Sequence, residues 1–234
     1  MSGLHEVPLV SVIVPVLDEA ATIEALLDHL ASLPGRWEVL IADGGSRDGT
    51  PELARSHPLA PQVGRAPRGR ARQLNSGAQA ARGDVLLFLH ADSRLPMGAH
   101  GAIAAALRAP ACPGGNFALR FEGAGVFTRY LAAYYAVQRS FGVYYGDSTI
   151  WVRAGTWREL GGFRDLPIME DYEFVRRLER RGRTARLPGP ATTSGRRWER
   201  AGVARTVASW VLIRYLWMLG VPADRLARLY SDIR

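Results

Sequence analysis

The sequence predicts an α/β fold built on an open, mostly parallel sheet, and three observations point to it. Short β-branched runs alternate with stretches of helical periodicity through the first half of the chain. Acidic residues recur just after those runs, at the strand ends where open parallel sheets bind ligands. The composition suits one packed domain, with 234 residues, 47% hydrophobic and 22% charged, and a mean hydropathy of −0.06.

Leu9–Val16 (LVSVIVPV) is a continuous apolar run, as expected of a strand buried on both faces. Ile23, Leu26, Leu27 and Leu30 then recur at helical spacing. Trp37–Asp43 (WEVLIAD) is a second strand that ends in an acid. Thr50-Pro51-Glu52 combines a cap residue, an N1 proline and an early acid, which together start a helix. Gln62–Arg65 is a short strand, Gly69–Ala81 a small-residue helix, Val85–His90 (VLLFLH) a buried strand and Pro96–Leu107 a helix. The second half is less regular. Strands are expected at Asn116–Phe121, Thr149–Arg153 and Thr184–Leu187, and helices at Val126–Ser140, Asp171–Arg181 and Val203–Leu219.

Several chemistries are excluded. The single cysteine, Cys112, permits neither an intramolecular disulfide nor a CxxC zinc site. All 30 basic residues are arginine, so no lysine exists for a Schiff base or a Walker-A loop. The turn Pro15-Val16-Leu17-Asp18-Glu19 lacks the GxGxxG of dinucleotide folds. The N-terminus has no basic segment followed by an apolar run, so no signal peptide is expected. No run approaches the ~18 apolar residues of a membrane span, and Arg214 interrupts the nearest candidate, Val207–Val221.

Charge is unevenly spread. Residues 176–234 hold 14 arginines against four acids. Such a region fits an anionic partner, whether phosphate, anionic lipid or nucleic acid, or simply a solvated basic surface. No RNA-recognition motif is present, so no nucleic-acid partner is expected.

Asp18, Glu19, Asp43 and Asp92 follow predicted strands. Each alone reads as a cap or turn residue, but together they suggest a carboxylate rim. The glycines of Asp43-Gly44-Gly45 allow close ligand approach, and Asp43 could accept bonds from a base or ribose. Arg65, Arg68, Arg70 and Arg72 lie within eight residues and suit bidentate phosphate recognition, or form a basic loop. Asp92, in His90-Ala91-Asp92-Ser93, could hold a divalent ion bridging a diphosphate. Glu170 and Asp171 open a helix. Acids there favour the macrodipole, and a carboxylate so placed is favoured in the charged form that a general base needs. Arg196, Arg197 and Trp198 pair two guanidinium groups with an indole, which suits anion binding and stacking.

Four segments, SVIVPVLDEAATI, VLIADGGSRDGT, LLFLHADSRLP and GGFRDLPIMEDYEFVRRLERRG, together resemble glycosyltransferase family 2 over residues 8–200. The short chain, the HADS segment and the ending LGVPADRLARLY look most like a small bacterial subgroup, the radical-SAM/selenodomain-associated transferases 2. The resemblance implies a GT-A fold, with a nucleotide-sugar-binding half over 1–110 and an acceptor half over 111–200. A helical appendage over 201–234 would pack on the domain, on a partner or at a membrane surface.

It also implies an inverting transfer from a nucleotide-diphosphate sugar. Pro15, Glu19, Asp43, Gly45, Arg70, Arg72, Asn75, Ala91 and Asp92 would bind the nucleotide sugar. Asp92 would hold Mn²⁺ or Mg²⁺. Asp171, with Glu170 beside it, would take the acceptor's proton. Gly161-Gly162-Phe163 would lie near the acceptor, and Arg196, Arg197 and Trp198 would meet the diphosphate or acceptor. Two positions depart from the family pattern. His90 stands at the first acid of the DxD motif, and Ser194 at the glutamine of QxxRW.

A cytoplasmic protein is expected, peripheral at the inner membrane face if Val203–Leu219 lies on a bilayer. A lipid-linked acceptor and a homodimer are both compatible with the sequence. A nucleotide-sugar-binding protein without turnover is the alternative reading on the same fold.

Overall fold

The structure is a computed structural model and describes residues 7–122, 126–194 and 203–233. The chain forms, in order, β1 (Val10–Val16), α1 (Ala20–Ser32), β2 (Trp37–Asp43), α2 (Thr50–Ser56), β3 (Gln62–Arg65), α3 (Arg70–Ala80), β4 (Val85–Phe88), β5 (Ser93–Arg94) and α4 (Ala99–Leu107). Then follow β6 (Gly114–Phe121), α5 (Val126–Ser140), a 3₁₀ turn (Gly146–Ser148), β7 (Ile150–Arg153), α6 (Ala154–Leu160), α7 (Glu170–Arg181), β8 (Ala185–Thr193), α8 (Val203–Met218) and α9 (Ala223–Ile233).

The sheet order is β3-β2-β1-β4-β7-β6-β8-β5. Strands β3, β2, β1 and β4 are parallel, as the alternating pattern predicts. Antiparallel pairing begins at β7, which runs against both β4 and β6. The predicted strand at Thr184–Leu187 is longer, because β8 continues to Thr193 beside β6 and pairs with β5. A side chain at Gly115 would meet the Ala185 carbonyl, so glycine is what lets β6 and β8 approach there.

Two hydrophobic layers sandwich the sheet. Ile23, Leu26, Leu27 and Leu30 of α1 pack on one face with Val12, Val14 and Trp151. Leu74 and Ala78 of α3 and Phe174, Val175 and Leu178 of α7 pack on the other with Ile13 and Leu86. Burying such side chains contributes about 1.5–3 kcal/mol each. That outweighs the few tenths by which any one residue prefers helix or strand, so the apolar pattern sets the layers. At the C-terminus, Ile213 of α8 and Leu226 of α9 bury themselves against Met169 and Tyr172 at the start of α7.

Candidate active site

β1 and β2 end level, with Val16 opposite Asp43, and the loops that follow are stitched together. Asp18 Oδ1 accepts the Arg47 N–H at 2.8 Å, and the Asp18 N–H donates to Ser46 Oγ at 3.0 Å. The Glu19 N–H donates to Thr50 Oγ1 and the Ala20 N–H to Asp48 Oδ2, both at 2.9 Å. The Thr50 hydroxyl and then the Ala20 N–H hold the Asp48 carboxyl below its usual range. Asp43 is buried and turned onto its own loop. It accepts the N–H groups of Gly45 at 3.2 Å and Ser46 at 3.0 Å, and the Ser46 hydroxyl at 2.5 Å. From α3, the buried Gln73 amide donates to the carbonyls of Val16 at 2.8 Å and Ala42 at 2.9 Å, clamping the two strand ends.

Beyond these loops lies a cluster of opposite charges. Arg70, at the first position of α3, reaches Glu170 Oε1 at 3.4 Å. Burial works against its charge, but Glu170, Asp171, Asp147 and Asp92 together raise its pKa above the ordinary value. Four acids from three segments therefore converge on one guanidinium. Glu170 is only 4% exposed, and burial first, then the neighbouring Asp171, pushes its carboxyl up to about 7 despite Arg70.

Asp171 is held from two sides. Its Oδ2 accepts the Gly146 N–H at 2.8 Å, and its Oδ1 the Tyr172 N–H at 2.7 Å. Gly146 opens the 3₁₀ turn, and a Cβ there would stand 2.9 Å from His90 Nε2 and 3.3 Å from Asp171 Oδ2. The next residue, Asp147, pairs with His90, Oδ1 to Nδ1 at 3.4 Å.

This cluster forms one end of a cavity of about 630 Å³. Arg68, Arg70, Asp147, Glu170 and Asp171 line the charged end. The other end is largely aromatic and aliphatic, with Leu131, Tyr134, Tyr135 and Tyr145 facing Ile168, Trp210 and Ile213. Tyr145 stacks on Tyr172 at 5.7 Å, and Tyr135 meets Trp210 edge-on at 6.3 Å. Burial pushes the Tyr145 hydroxyl up to about 12, against the pull of Arg214. The cavity thus offers a cation for an anion, a fixed carboxylate, and an apolar wall within one volume, the usual make-up of a small-molecule site.

The Glycosyl transferase family 2 model matches residues 11–164, about two thirds of the chain. The chain belongs to glycosyl transferase family 2. The match stops short of Glu170 and Asp171. Among its relatives, the glycosyltransferase AglE of Haloferax volcanii is 36% identical over 93 residues, 36% of this chain and 31% of that protein. The undecaprenyl-phosphate 4-deoxy-4-formamido-L-arabinose transferase of Aeromonas hydrophila is 32% identical over 101 residues, 39% of this chain and 31% of that protein. The mannosyltransferase PcManGT from Pyrobaculum calidifontis, solved with GDP-Man and Mn²⁺, is 22% identical and superposes with a TM-score of 0.66 over 91% of this chain and 64% of that one. That likeness shows the GT-A fold. The matched segments thus take in about a third of the two relatives' length and under two thirds of the mannosyltransferase's.

Within this family 2 chain, the residues expected at the site are dispersed. Arg70, Glu170 and Asp171 line the cavity, and Asp92 lies close enough to act on Arg70. Pro15, Glu19, Asp43 and Gly45 lie on the β1 and β2 ends outside it, and the Glu19 carboxylate accepts the Thr22 hydroxyl at 2.8 Å. Ala91 is buried in the core. Arg72 grips the exposed Asp165 at 2.7 Å. The Asn75 amide brackets the Phe163 backbone, donating to its carbonyl at 2.8 Å and accepting its N–H at 2.9 Å. Arg177 binds the Leu160 and Gly162 carbonyls at 2.6 and 2.7 Å, so the Gly161–Phe163 loop is fixed from both sides. Arg196, Arg197 and Trp198 lie outside the described residues. Asp147, Gln73 and Tyr145 belong to no motif legible in the sequence, and Trp210 was legible only as an indole of the apolar C-terminal helix.

Proposed function

We propose that this protein is an inverting glycosyltransferase that moves a sugar from a nucleotide-diphosphate donor to an acceptor hydroxyl, with Asp171 as the general base. The observation that carries the reading is the position of Asp171. Two backbone N–H groups fix its carboxylate in the cavity lining, within electrostatic reach of both Arg70 and Tyr145. A base there has the donor's diphosphate on one side and the acceptor on the other.

In this reading, the β1 and β2 loops carry the nucleoside, with Pro15, Glu19, Asp43 and Gly45 shaping its pocket. Arg70 and Arg68 take the diphosphate, and Arg70 exchanges part of its pairing with Glu170 for phosphate oxygens. The acceptor lies against Tyr134, Tyr145 and Trp210 with its hydroxyl toward Asp171. Asp171 removes that proton as the oxygen attacks the anomeric carbon from the face opposite the departing diphosphate. Glu170, whose carboxyl is pushed upward by burial and then by Asp171, limits the negative charge beside the base. By motif, Arg196, Arg197 and Trp198 close on the diphosphate or acceptor.

Among the described residues, no three acidic, histidine or cysteine side chains group to hold a cation by themselves. Asp92, within electrostatic reach of Arg70, would hold a divalent ion only together with ligands that the donor supplies. Bound there, Mn²⁺ or Mg²⁺ would supply positive charge to offset the negative charge developing on the leaving group. The Mn²⁺ of the Pyrobaculum mannosyltransferase supports this assignment.

The Aeromonas relative, named for an undecaprenyl-phosphate substrate, supports a lipid-linked acceptor and a peripheral membrane location. Among the described residues, no helix is long and apolar enough to cross a membrane. Placement in the radical-SAM/selenodomain-associated subgroup rests on the HADS segment and the motif LGVPADRLARLY alone.

The experiment is release of nucleoside diphosphate from sugar donors, presented with lipid extracts as acceptor source. Asp171→Asn should lower turnover by about a hundredfold or more while still binding donor. Full turnover by that variant would remove Asp171 as base. The rival reading, donor binding without turnover, draws on His90 at the first metal-acid position and fails if any transfer is seen.

A further inference from the structure

The large hydrophobic side chains left exposed are not scattered. Among the described residues, Tyr130, Val137, Phe141, Leu212, Tyr215, Met218 and Leu219 are all at least 44% exposed, and all belong to α5, α8 or the residue after each. Among the described residues, only Val7 and Met97 of that exposed class lie elsewhere. On α5, Tyr130, Val137 and Phe141 are spaced i, i+7, i+11, which puts them on one stripe of the helix. On α8, Leu212, Tyr215 and Leu219 are spaced i, i+3, i+7. The two helices lie against each other. Arg214 Nη1 donates to Gln138 Oε1 at 2.5 Å, and Trp210 packs edge-on against Tyr135.

Charge says what kind of surface fits this face. From residue 123 to 146, and again from 201 to 223, the sequence holds arginines and not one acid. A site for a protein partner of mixed charge would carry both signs. Of these arginines, Arg129 is exposed and Arg214 half-buried beside Gln138, whereas Arg139 turns inward onto the Asn116 and Leu187 carbonyls. Exposed tyrosine, methionine and leucine beside arginine, with no carboxylate on either helix, are what an amphipathic element lying in the headgroup region of an anionic bilayer presents. The same two helices supply Leu131, Tyr134, Tyr135, Trp210 and Ile213 to the aromatic end of the cavity.

We infer that α5 and α8 together form a docking surface for an anionic lipid bilayer, with the aromatic end of the cavity set beside the membrane. The inference adjoins the acceptor end assigned above, but its test involves no sugar transfer, so either can fail without the other.

The experiment is co-sedimentation of the full chain with vesicles of pure phosphatidylcholine and of phosphatidylcholine with 30% phosphatidylglycerol, at two salt concentrations. Binding should require the anionic lipid and weaken with salt. The triple variant Tyr130→Ser, Phe141→Ser, Leu219→Ser should bind at least about tenfold more weakly. The variant Val7→Ser, Met97→Ser, which removes apolar surface elsewhere, should bind as the parent does. All three altered positions of the triple variant are solvent-facing, and an unchanged circular dichroism spectrum would confirm its fold. No binding to either vesicle, equal loss in both variants, or a solution dimer that the triple variant dissolves would each overturn the inference.

Discussion

Glu170 and Asp171 are adjacent carboxylates in unlike surroundings. Asp171 faces the cavity with both oxygens held by backbone N–H groups, whereas Glu170 is buried against Arg70. The raised Glu170 value of about 7, against 4.5 for a free glutamate, makes stability pH-dependent. The unfolded chain releases this proton near pH 4.5, the folded chain near 7. The stabilisation from neutral Glu170 is therefore complete below pH 4.5 and is lost as pH rises through 7. The shift corresponds to roughly 3 kcal/mol. Urea unfolding at pH 5 and pH 8 should show this loss in the parent and most of it removed in Glu170→Gln. An equal pH dependence in both proteins would show that Glu170 is not the titrating group. At this scale the sequence was informative wherever residue type and position coincide, as with acids at a helix start or an arginine at the head of α3. It was silent on Gln73, because nothing in a single glutamine on a small-residue helix says that its amide will tie two strands.

At the scale of elements, one strand direction explains what the sequence concealed. β7 runs antiparallel to β4, with Ile150 opposite Phe88. The residues before β7 therefore lie beside the residues after β4, which brings Gly146 and Asp147 against His90. A search of strand ends for acids in a parallel sheet looks after each strand, and so misses an acid that precedes one. The 3₁₀ turn is then a working part of the site. Gly146→Ala would force a methyl group against His90 and the base. It should cost about 1–3 kcal/mol of stability. Because Asp171 is displaced, turnover should fall about tenfold to a hundredfold, with donor affinity kept, by turnover assay and calorimetry side by side.

The C-terminal helices were legible as apolar but not as a cavity wall. Their periodicity gives a buried stripe without naming what it faces, and α9 was expected only as part of a helical appendage over 201–234, not as a helix of its own. Trp210→Ala should raise the acceptor KM about tenfold while leaving the donor Kd unchanged, since the indole lines the cavity beside Tyr135 and Tyr230. A matching loss of donor affinity would place the indole in the nucleotide site instead.

For the molecule as a whole, the parallel half of the sheet and its mixed half meet at β4 and β7, and the site lies along that seam. The alternating pattern of the first half was readable because each buried strand is a continuous apolar run. In the second half the strands β6, β7 and β8 were expected but not their order, since close backbone approaches such as Gly115 on Ala185 leave little periodic trace. The central claim is that this seam receives a nucleotide-diphosphate sugar. Calorimetric titration of the full chain with UDP, GDP and dTDP and their common sugar conjugates, with and without Mn²⁺, tests it most directly. The account predicts that one nucleotide series binds, that Mn²⁺ tightens it, and that Arg70→Ala weakens it by about tenfold or more. Folded protein that binds none of them, or an Arg70→Ala variant that binds as tightly as the parent, would contradict it.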